Sequence, residues 1–398
     1  MKKRILFLGA SRSQLGPILY AKEQGHYIIT CDYLPENPGH LLADESYDIS
    51  TTDEEAVLEL AKKLAIDGIV AYASDPAAPT QAYVGNKLGI PSNPYESVRV
   101  LSYKDLFREF LEKNNFFVPQ AEAFYNYQDA KEWLNKHNIP VIVKPIDSSG
   151  SKGITKLESI DELEIAFAYA LRFSKNKKVI LEEFITKKGY QICGDGFVVD
   201  GQLKFVSWAN SHRNILCNPL VPIGNSFPAI ISDKSKEYAR SEIQRLLNLL
   251  QMKQGALNIE FFFDENGQFV LLEVGPRNGG NFIPEVIRYA TDIDLIKYTV
   301  DSALGLDCSK LEMKETSGYY SVYVLHAIKD GILSEISYMN GIENNILEKF
   351  IYVKKGDFVK KFNGSDCTLG ILLMKFDSSE DMIEKMDHMD EYIGVKVK

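Results

Sequence analysis

Two short apolar runs on either side of an Asp-Glu-Asn-Gly turn constrain the fold of this chain more than any other stretch. The runs, residues 259–263 and 269–274, each carry one acid inside an apolar strand, Glu260 in the first and Glu273 in the second. Burying a carboxylate is costly unless a cation or a hydrogen-bond donor meets it. If the strands pair about the turn, the two acids lie side by side. The stretch therefore predicts either a hairpin that binds Mg²⁺, which relieves the repulsion, or a hairpin whose acids form ordinary salt bridges.

An arginine and two glycines follow the second acidic strand almost directly. Arg277 can hold an anion through two parallel hydrogen bonds. Gly279 and Gly280 have no side chains, so the backbone there can come close to a ligand. The order of these residues predicts an anion-binding group next to the paired acids.

The composition indicates a globular protein with a large core, since 45% of its 398 residues are hydrophobic and 25% are charged. A formal net charge of -10 gives no reason to expect nucleic acid or an anionic membrane as a partner. The cysteines are scattered without a CxxC pair, which is typical of reduced thiols. The N-terminal apolar run ends after Leu8, too short for a signal peptide, and no run suits a transmembrane helix. We expect a cytoplasmic protein.

The first hundred residues alternate strand and helix patterns, which is typical of an open parallel α/β domain. In such a domain the ligand crevice lies beyond the carboxyl ends of the strands. Ser11, Arg12 and Asp75 follow two of these strand ends. The turn around Ser11 lacks the GxGxxG spacing, so a plain tight turn is favoured over dinucleotide binding. The same turn offers groups that suit a substrate phosphate.

The next region combines lysines with a loop rich in serine and glycine. Lys104 lies near the start of an amphipathic helix, and Lys144 lies in a strand that leads into the loop 147–153. Such a loop suits a mobile lid over phosphates, although most Ser/Gly loops are simple connections. Its spacing is not that of a P-loop. A later strand ends in the residues Glu182, Glu183, Phe184 and Ile185, which suit an adenine edge or a solvated strand edge.

Two basic residues, His212 and Arg213, end a further strand and are candidates to face a substrate. A lone histidine is more often structural, and Arg213 is equally well explained as a surface charge. From about residue 311 the pattern becomes rich in strands, with one late helix. No Ser/His/Asp or Cys/His constellation for covalent catalysis is evident.

Taken in order, these features resemble the ATP-grasp superfamily over nearly the whole chain. The segments that carry most of the match are VIVKPIDSSGSKGI and LLEVGPRNGGN. The chain is most like the branch with biotin carboxylase, the carbamoyl phosphate synthetase large chain, the formate-using phosphoribosylglycinamide formyltransferase and the L-amino acid ligases. The resemblance implies a mixed α/β and α+β fold with a pre-ATP-grasp α/β domain (1–101), an ATP-grasp domain (102–310, with a mobile lid at about 118–188) and a small β-rich C-terminal lobe (311–398).

The resemblance also implies that ATP binds between two lobes, with Mg²⁺, or Mn²⁺ in its place, on the phosphates. Residues implied to bind the nucleotide are Lys104, Lys144, Ser148, Ser149, Gly150, Ser151, Gly153, Glu182, Glu183, Phe184, Ile185 and Gln191. Residues implied to hold the metal are Glu260, Glu273 and Asn278, and the implied catalytic residues are Arg277 and Lys144. Candidate substrate residues are Ser11, Arg12, Asp75, His212, Arg213, Arg277, Gly279 and Gly280. The branch further suggests a homodimer.

The chain departs from the family pattern at two places. The family usually has Glu-x-Asn-x-Arg at the second acid, and this chain has glycine, Gly275, at the place of the asparagine. Asn278 is then the candidate substitute, or a second metal binds more weakly. The family also often has a ribose-binding acid where this chain has Gln191, an amide that can still bond ribose hydroxyls.

The reaction implied is a carboxylate–amine ligation. A carboxylate attacks the γ-phosphate of ATP, and an amine then displaces phosphate from the acyl-phosphate, giving an amide, ADP and phosphate. The partners are thus a small-molecule acid and an amine. The alternatives are a purine-pathway or biotin-carboxylase-like enzyme that uses formate or bicarbonate, and a non-catalytic nucleotide-binding protein.

Overall fold

The computed structural model describes residues 2–398. The N-terminal domain is a four-stranded parallel sheet with the order β3-β2-β1-β4. Its strands are β1 (Arg4–Leu8), β2 (Tyr27–Cys31), β3 (Glu45–Tyr47) and β4 (Gly68–Val70), and its helices are α1 (Leu15–Glu23), α2 (Glu54–Leu64), α3 (Ala78–Leu88) and α4 (Tyr95–Ser102). The central strands are apolar and almost wholly buried because helices cover the sheet. The predicted open α/β domain is confirmed.

A second, antiparallel sheet with the order β5-β8-β6-β7 forms the lid lobe. It follows helix α5 (Lys104–Lys113) and contains β5 (Ala121–Phe124), α6 (Tyr127–Leu134), β6 (Val141–Pro145), β7 (Thr155–Leu157), α7 (Leu163–Phe173) and β8 (Val179–Glu183). The two helices bury their apolar faces on the sheet and give the lobe a core of its own. A separate core allows the lobe to move as a unit.

The central sheet has eight strands in the order β13-β12-β9-β10-β11-β14-β18-β16. Its first half consists of β9 (Gln191–Val199), β10 (Gln202–Arg213), β11 (Pro222–Phe227), β12 (Gly255–Phe263) and β13 (Phe269–Gly275), with helices α8 (Asp233–Leu249), α9 (Ile283–Thr291) and α10 (Leu295–Ala303). The strands β12 and β13 are the predicted hairpin, and they form one edge of the sheet.

The C-terminal residues extend this sheet. The remaining elements are β14 (Tyr319–Leu325), β15 (Gly331–Tyr338), β16 (Ile346–Ile351), β17 (Phe358–Val359), β18 (Gly370–Phe376), α11 (Ser379–Asp387) and β19 (Ile393–Val397). Strand β14 pairs with β11, and β18 and β16 follow it, while β17, β15 and β19 form a separate small sheet. The lobe is rich in strands, as predicted, but it shares one hydrophobic core with the central sheet.

None of the helices within residues 2–398 has the length and the apolar character that a membrane crossing requires.

Candidate active site

The two acids of the hairpin lie directly opposite each other. Glu260 of β12 pairs with Glu273 of β13 in the register of the sheet. Burial and the neighbouring charge of Glu273 raise the pKa of Glu260. Within residues 2–398 neither acid forms a salt bridge, and the side-chain partner of Glu260 is the amide of Gln191, which donates from Nε2 over 2.6 Å. The arrangement is therefore that of two repelling carboxylates, not that of two ion pairs.

A cavity of about 1020 Å³ opens over this hairpin between the N-terminal domain, the lid lobe and the central sheet. It brings together most of the candidate residues that the sequence singled out. Those that line it are Ser11, Arg12, Asp75, Lys104, Lys144, Ser148, Ser149, Gly150, Ser151, Glu182, Glu183, Phe184, Ile185, Gln191, Arg213, Glu260, Glu273, Arg277 and Gly280. Sites between lobes are where ligands usually bind.

Asn278 does not lie where a metal ligand would. Its side chain is fully buried, and its Oδ1 accepts a hydrogen bond of 2.9 Å from the hydroxyl of Thr299 in α10. It does not line the cavity, because the chain turns inward after Arg277. The predicted substitution of Asn278 for the missing asparagine is therefore wrong. Moreover, no group of three or more His, Cys, Asp or Glu residues within 2–398 has the geometry of a metal site.

His212 also lies away from the cavity, which corrects its assignment as a substrate contact. It is 2% exposed, and its Nδ1 lies 2.7 Å from Oδ1 of Asp387 in α11. Its Nε2 lies 2.8 Å from the hydroxyl of Ser226 in β11. This is a Ser-His-Asp series that the sequence did not reveal. Ser226 is fully buried and also accepts a hydrogen bond from Asn210, so its hydroxyl meets no substrate and the series ties α11 to the sheet.

Gly153 and Gly279, two further candidates, support the site from outside the cavity. Gly153 has a left-handed backbone, with φ +75°, and packs against Phe173 at the end of the lid loop. The amide of Gly279 donates to the buried carboxylate of Asp195 over 2.7 Å. Asp195 in β9 also accepts from Asn258, and burial raises its pKa to about 6. It holds the segment after Arg277 against the sheet, a role with no signal in the sequence.

Lys144 and Glu182 form a buried ion pair across neighbouring strands of the lid sheet, with Nζ 2.9 Å from Oε1. Arg108 of α5 completes the group, since its Nε donates to Oε2 of Glu182 over 2.7 Å. Burial opposes the ionisation of Glu182, but the two cations outweigh it and lower its pKa to about 2. Burial lowers the pKa of Lys144, and the positive charges of Arg108 and Lys104 lower it further. The charge of Glu182 raises this pKa but does not outweigh them. An ammonium so placed suits an anionic ligand.

Glu182 therefore does not frame an adenine with its carboxylate, which is occupied by these two cations. Arg108 was not among the sequence candidates, because an arginine in an amphipathic helix has the pattern of a surface residue. Apolar walls for a base remain beside it, from Phe184 and Ile185 together with Ile142 and Leu272. The ammonium of Lys156 lies over the Phe184 ring, 4.2 Å from its centre.

The loop after Lys144 lies over the cavity as a lid. Lys104 holds it, donating from Nζ to the carbonyl of Ser148 over 2.7 Å. Gly150 has a left-handed backbone, with φ +66°, and a Cβ there would lie 2.4 Å from Oγ of Ser365 in the C-terminal lobe. The hydroxyl of Ser151 donates to the carbonyl of Leu220. The lid is thus docked against two other parts of the chain.

Gln191, the candidate ribose contact, connects a metal candidate to a buried cation. Its amide nitrogen donates to Glu260, and its Oε1 accepts from Nη2 of Arg213 over 3.0 Å. Burial lowers the pKa of Arg213. Within residues 2–398 the other acceptors of Arg213 are neutral oxygens, the hydroxyl of Ser211 and the carbonyl of His212. Arg213 therefore lines the cavity as a cation that forms no salt bridge with any described carboxylate, which favours an anionic ligand there.

The far end of the cavity lies between the N-terminal domain and the C-terminal lobe. Arg12 lies over the ring of Tyr352, with its guanidinium carbon 5.1 Å from the ring centre. Arg277 binds the carboxylate of Asp75 through Nε and Nη2, over 2.6 and 2.5 Å. Asn281 and Phe282, which also line this end, both have left-handed backbones. Strained residues of this kind cluster at functional sites.

A lid lobe over lysines and paired acids on a central antiparallel sheet is the arrangement of ATP-grasp proteins. Residues 137–285 match the ATP-grasp domain family. These residues therefore contain an ATP-grasp domain, as the motifs predicted.

Two curated relatives show how far the similarity extends. The uncharacterized protein y4rH of Sinorhizobium fredii (strain NBRC 101917 / NGR234) is 26% identical over 371 residues, which are 89% of this chain and 72% of that protein. The carbamoyl phosphate synthase large chain of Thermoanaerobacter sp. (strain X514) is 25% identical over 243 residues, or 59% of this chain. The match spans only 21% of that synthase.

Solved structures share the fold over the whole chain. The L-amino acid ligase from Bacillus licheniformis superimposes with a TM-score of 0.83 at 19% identity, covering 100% of this chain and 99% of that one. The biotin carboxylase domain of the Hydrogenobacter thermophilus 2-oxoglutarate carboxylase, solved with MgADP, ADP and bicarbonate, gives 0.75 at 17% identity, covering 100% and 92%. At these identities the similarity establishes the fold.

Proposed function

We propose that the protein is an ATP-dependent ligase that joins a carboxylic acid to an amine through an acyl-phosphate, with release of ADP and phosphate. The observation that carries this proposal is the pair Glu260–Glu273, which forms no salt bridge within residues 2–398 and lies in one cavity with Lys104, Lys144 and Arg277. Phosphoryl transfer depends on such positioning and charge stabilisation rather than on a protein nucleophile.

The paired acids fit a hard divalent cation, because burial and the charge of Glu273 raise the pKa of Glu260 and a cation would offset both effects. We propose Mg²⁺ as that cation, held by Glu260 and Glu273 with Mn²⁺ as an alternative. When bound, it supplies charge neutralisation at the phosphates. With Asn278 turned away, these two acids are the protein ligands that the proposal assigns.

The remaining roles belong to the chain itself. Lys104 and Lys144 contribute positive charge for the phosphates at the base of the lid, and Arg277 at the far end receives the carboxylate that is activated. The docked loop of residues 148–153 excludes water, which would otherwise hydrolyse the mixed anhydride. Cys193 lines the cavity, but burial keeps its pKa well above the usual thiol value, so it is not a nucleophile.

The test is the release of ADP and phosphate from ATP with Mg²⁺, measured on a panel of carboxylic acids crossed with amines. The panel contains amino acids, uronic acids, formate, bicarbonate and glycinamide ribotide. We expect release that requires one acid and one amine together, and a product whose mass is the sum of both minus water. The Lys144→Ala variant should lose this turnover, while Lys63→Ala, an exposed lysine of α2, should keep it.

Two other results would replace the proposal. Release of ADP and phosphate with bicarbonate or formate, and without a requirement for an amine, would favour the carboxylase or purine-pathway alternative. ATP binding without release on any pair would favour a non-catalytic nucleotide-binding protein. In the first case Lys144 still supplies positive charge for the phosphates, and Lys144→Ala loses turnover. In the second case Lys144→Ala only weakens the binding of ATP.

A further inference from the structure

Gly275 lies two residues after Glu273, at a position where any side chain would crowd its neighbours. Its backbone is not in the left-handed region, so its conformation does not require glycine. The space around it favours glycine, because a Cβ at this position would lie 2.6 Å from Oδ1 of Asp75 and 3.2 Å from Nε of Arg277. Real Cβ atoms essentially never come as close as 2.6 Å to another heavy atom. The missing side chain of Gly275 therefore makes room for a carboxylate from the N-terminal domain.

That carboxylate is fully engaged with Arg277. Asp75 follows strand β4 and lies beyond the carboxyl end of the parallel sheet, where an α/β domain presents its ligand groups. Its two oxygens accept from Nε and Nη2 of Arg277 over 2.6 and 2.5 Å. The side chains are only 15% and 12% exposed, so the pair is shielded from water. The bond joins residues 202 positions apart and links the N-terminal domain to the catalytic sheet.

The contacts of Arg277 leave some of the N–H groups of its guanidinium without a partner among the described residues. A guanidinium has five N–H groups, and two of those of Arg277 bind Asp75. A third, on Nη1, donates to the carbonyl of Asn278 over 3.0 Å. Two N–H groups are left for the cavity that Arg277 lines. A bidentate bond to a carboxylate also fixes the plane of the guanidinium, so the direction of the remaining donors is set before any ligand binds.

We propose that Asp75 is a positioning residue, which holds Arg277 in the orientation that binds the acid substrate, and that Gly275 is the residue that admits it. This inference rests on the proposed function, since it assigns Arg277 to the carboxylate that is activated. It moves Asp75 from the substrate contacts to the support of Arg277. When an arginine is held in its binding orientation, less binding free energy is spent on ordering its side chain. Loss of the orientation that Asp75 gives to Arg277 therefore weakens binding of the acid.

The first test measures the packing and needs no activity. Gly275→Ala, Asp75→Ala and the double variant are compared by thermal unfolding of the full chain. We expect Gly275→Ala to lower Tm by about 2–4 °C, the size of an overpacking effect. Most of that loss should disappear in the Asp75→Ala background, since the new Cβ no longer meets the carboxylate. Gly280→Ala is the control, because a Cβ there meets nothing within 4 Å and should have little effect in either background.

The second test is kinetic and uses whichever acid supports phosphate release. Asp75→Ala should raise KM for the acid about tenfold, which corresponds to one lost hydrogen bond between charged groups. KM for ATP should be unchanged, which a general loss of structure would not give. Asp75→Asn keeps one acceptor of the same shape and should fall between the native protein and Asp75→Ala. It replaces the alanine variant in the kinetic test if that variant does not fold, and Asp75→Ser, whose shorter side chain also removes the contact with the new Cβ, replaces it in the packing test.

Each contrary result has a definite meaning. Additive effects of Gly275→Ala and Asp75→Ala on Tm would overturn the packing of Asp75 against Gly275, whether or not the protein is active. A lower KM for the acid in Asp75→Ala would overturn the positioning role, because Asp75 would then compete with the substrate for Arg277. A raised KM for the amine alone would make Asp75 a substrate contact. Absence of release with every acid would reject the proposed function and leave the Tm comparison to decide the packing.

Discussion

Arg108 donates to both carboxylate oxygens of Glu182, over 2.7 and 3.4 Å, although the two residues belong to different lobes of the active site. The same guanidinium donates to the carbonyls of Leu271 and Leu272, just before Glu273. Arg108 therefore connects the strand of the lid that faces Lys144 to the strand that carries a metal candidate. One buried side chain thus contacts both the lid and the strand that carries Glu273.

Replacement of Arg108 should therefore be severe. Arg108→Met removes the main partner of a buried carboxylate, and we expect a loss of about 3 kcal/mol in the free energy of unfolding. Arg99→Met is the matched control, since Arg99 on α4 pairs with Glu96 at the surface, where such pairs contribute less than about 1 kcal/mol. Chemical denaturation of both variants measures the difference. Equal losses would contradict the buried role of Arg108.

The same ion group predicts a dependence of stability on acidity. The pKa of Glu182 falls from its ordinary value of 4.5 to about 2 because of Arg108 and Lys144, which outweigh its burial. Its contribution is therefore present above about pH 4.5 and is lost as the pH falls from 4.5 towards 2. Denaturation at a series of pH values in this window should show a steeper loss in the native protein than in Glu182→Gln. Parallel curves would show that Glu182 is not held charged.

Removal of one acid of the hairpin should change the requirement for metal. Glu273→Gln removes one of the two proposed ligands and the repulsion that raises the pKa of Glu260. We expect the Mg²⁺ concentration for half-maximal activity to rise at least about tenfold, the usual effect of disturbing a metal site. Calorimetric titration of Mg²⁺ with a non-hydrolysable ATP analogue gives a second readout. Unchanged Mg²⁺ dependence in both measurements would identify the acids as structural.

The lid can be tested at Gly150. Gly150→Ala combines the strain of a left-handed backbone, φ +66°, with a Cβ 2.4 Å from Oγ of Ser365. Gly89→Ala is the matched control, because its φ is +67° and nothing lies within 4 Å. We expect Gly150→Ala to increase ATP hydrolysis without product formation, since a lid that does not dock admits water. Similar behaviour of the two variants would mean that contact with Ser365 is unimportant.

The hairpin shows what local sequence can predict. Glu260 and Glu273 are separated by a short turn, so alternation and turn chemistry determined which residues pair and which acids face each other. Lys144 and the loop after it are likewise close in sequence, and their order placed them in the lid. These features together predicted the ATP-grasp fold, which the structure confirms.

The contacts that organise the site join distant residues. Arg277 and Asp75 are 202 positions apart, Arg108 and Glu182 are 74 apart, and His212 and Asp387 are 175 apart. Local pattern carries no information on such pairs, because a charged residue in a helix or loop has the same pattern whether it faces solvent or a partner in another domain.

The tertiary structure alone decided these partners, and it also turned Asn278 away from the acids and joined the C-terminal strands to the central sheet. The physical reason is the same in each case. A buried polar group must be paired, but which group pairs with it depends on how whole domains pack. The sequence by itself determined the fold and the chemical inventory of the site, and packing between domains determined which of those groups reach the cavity.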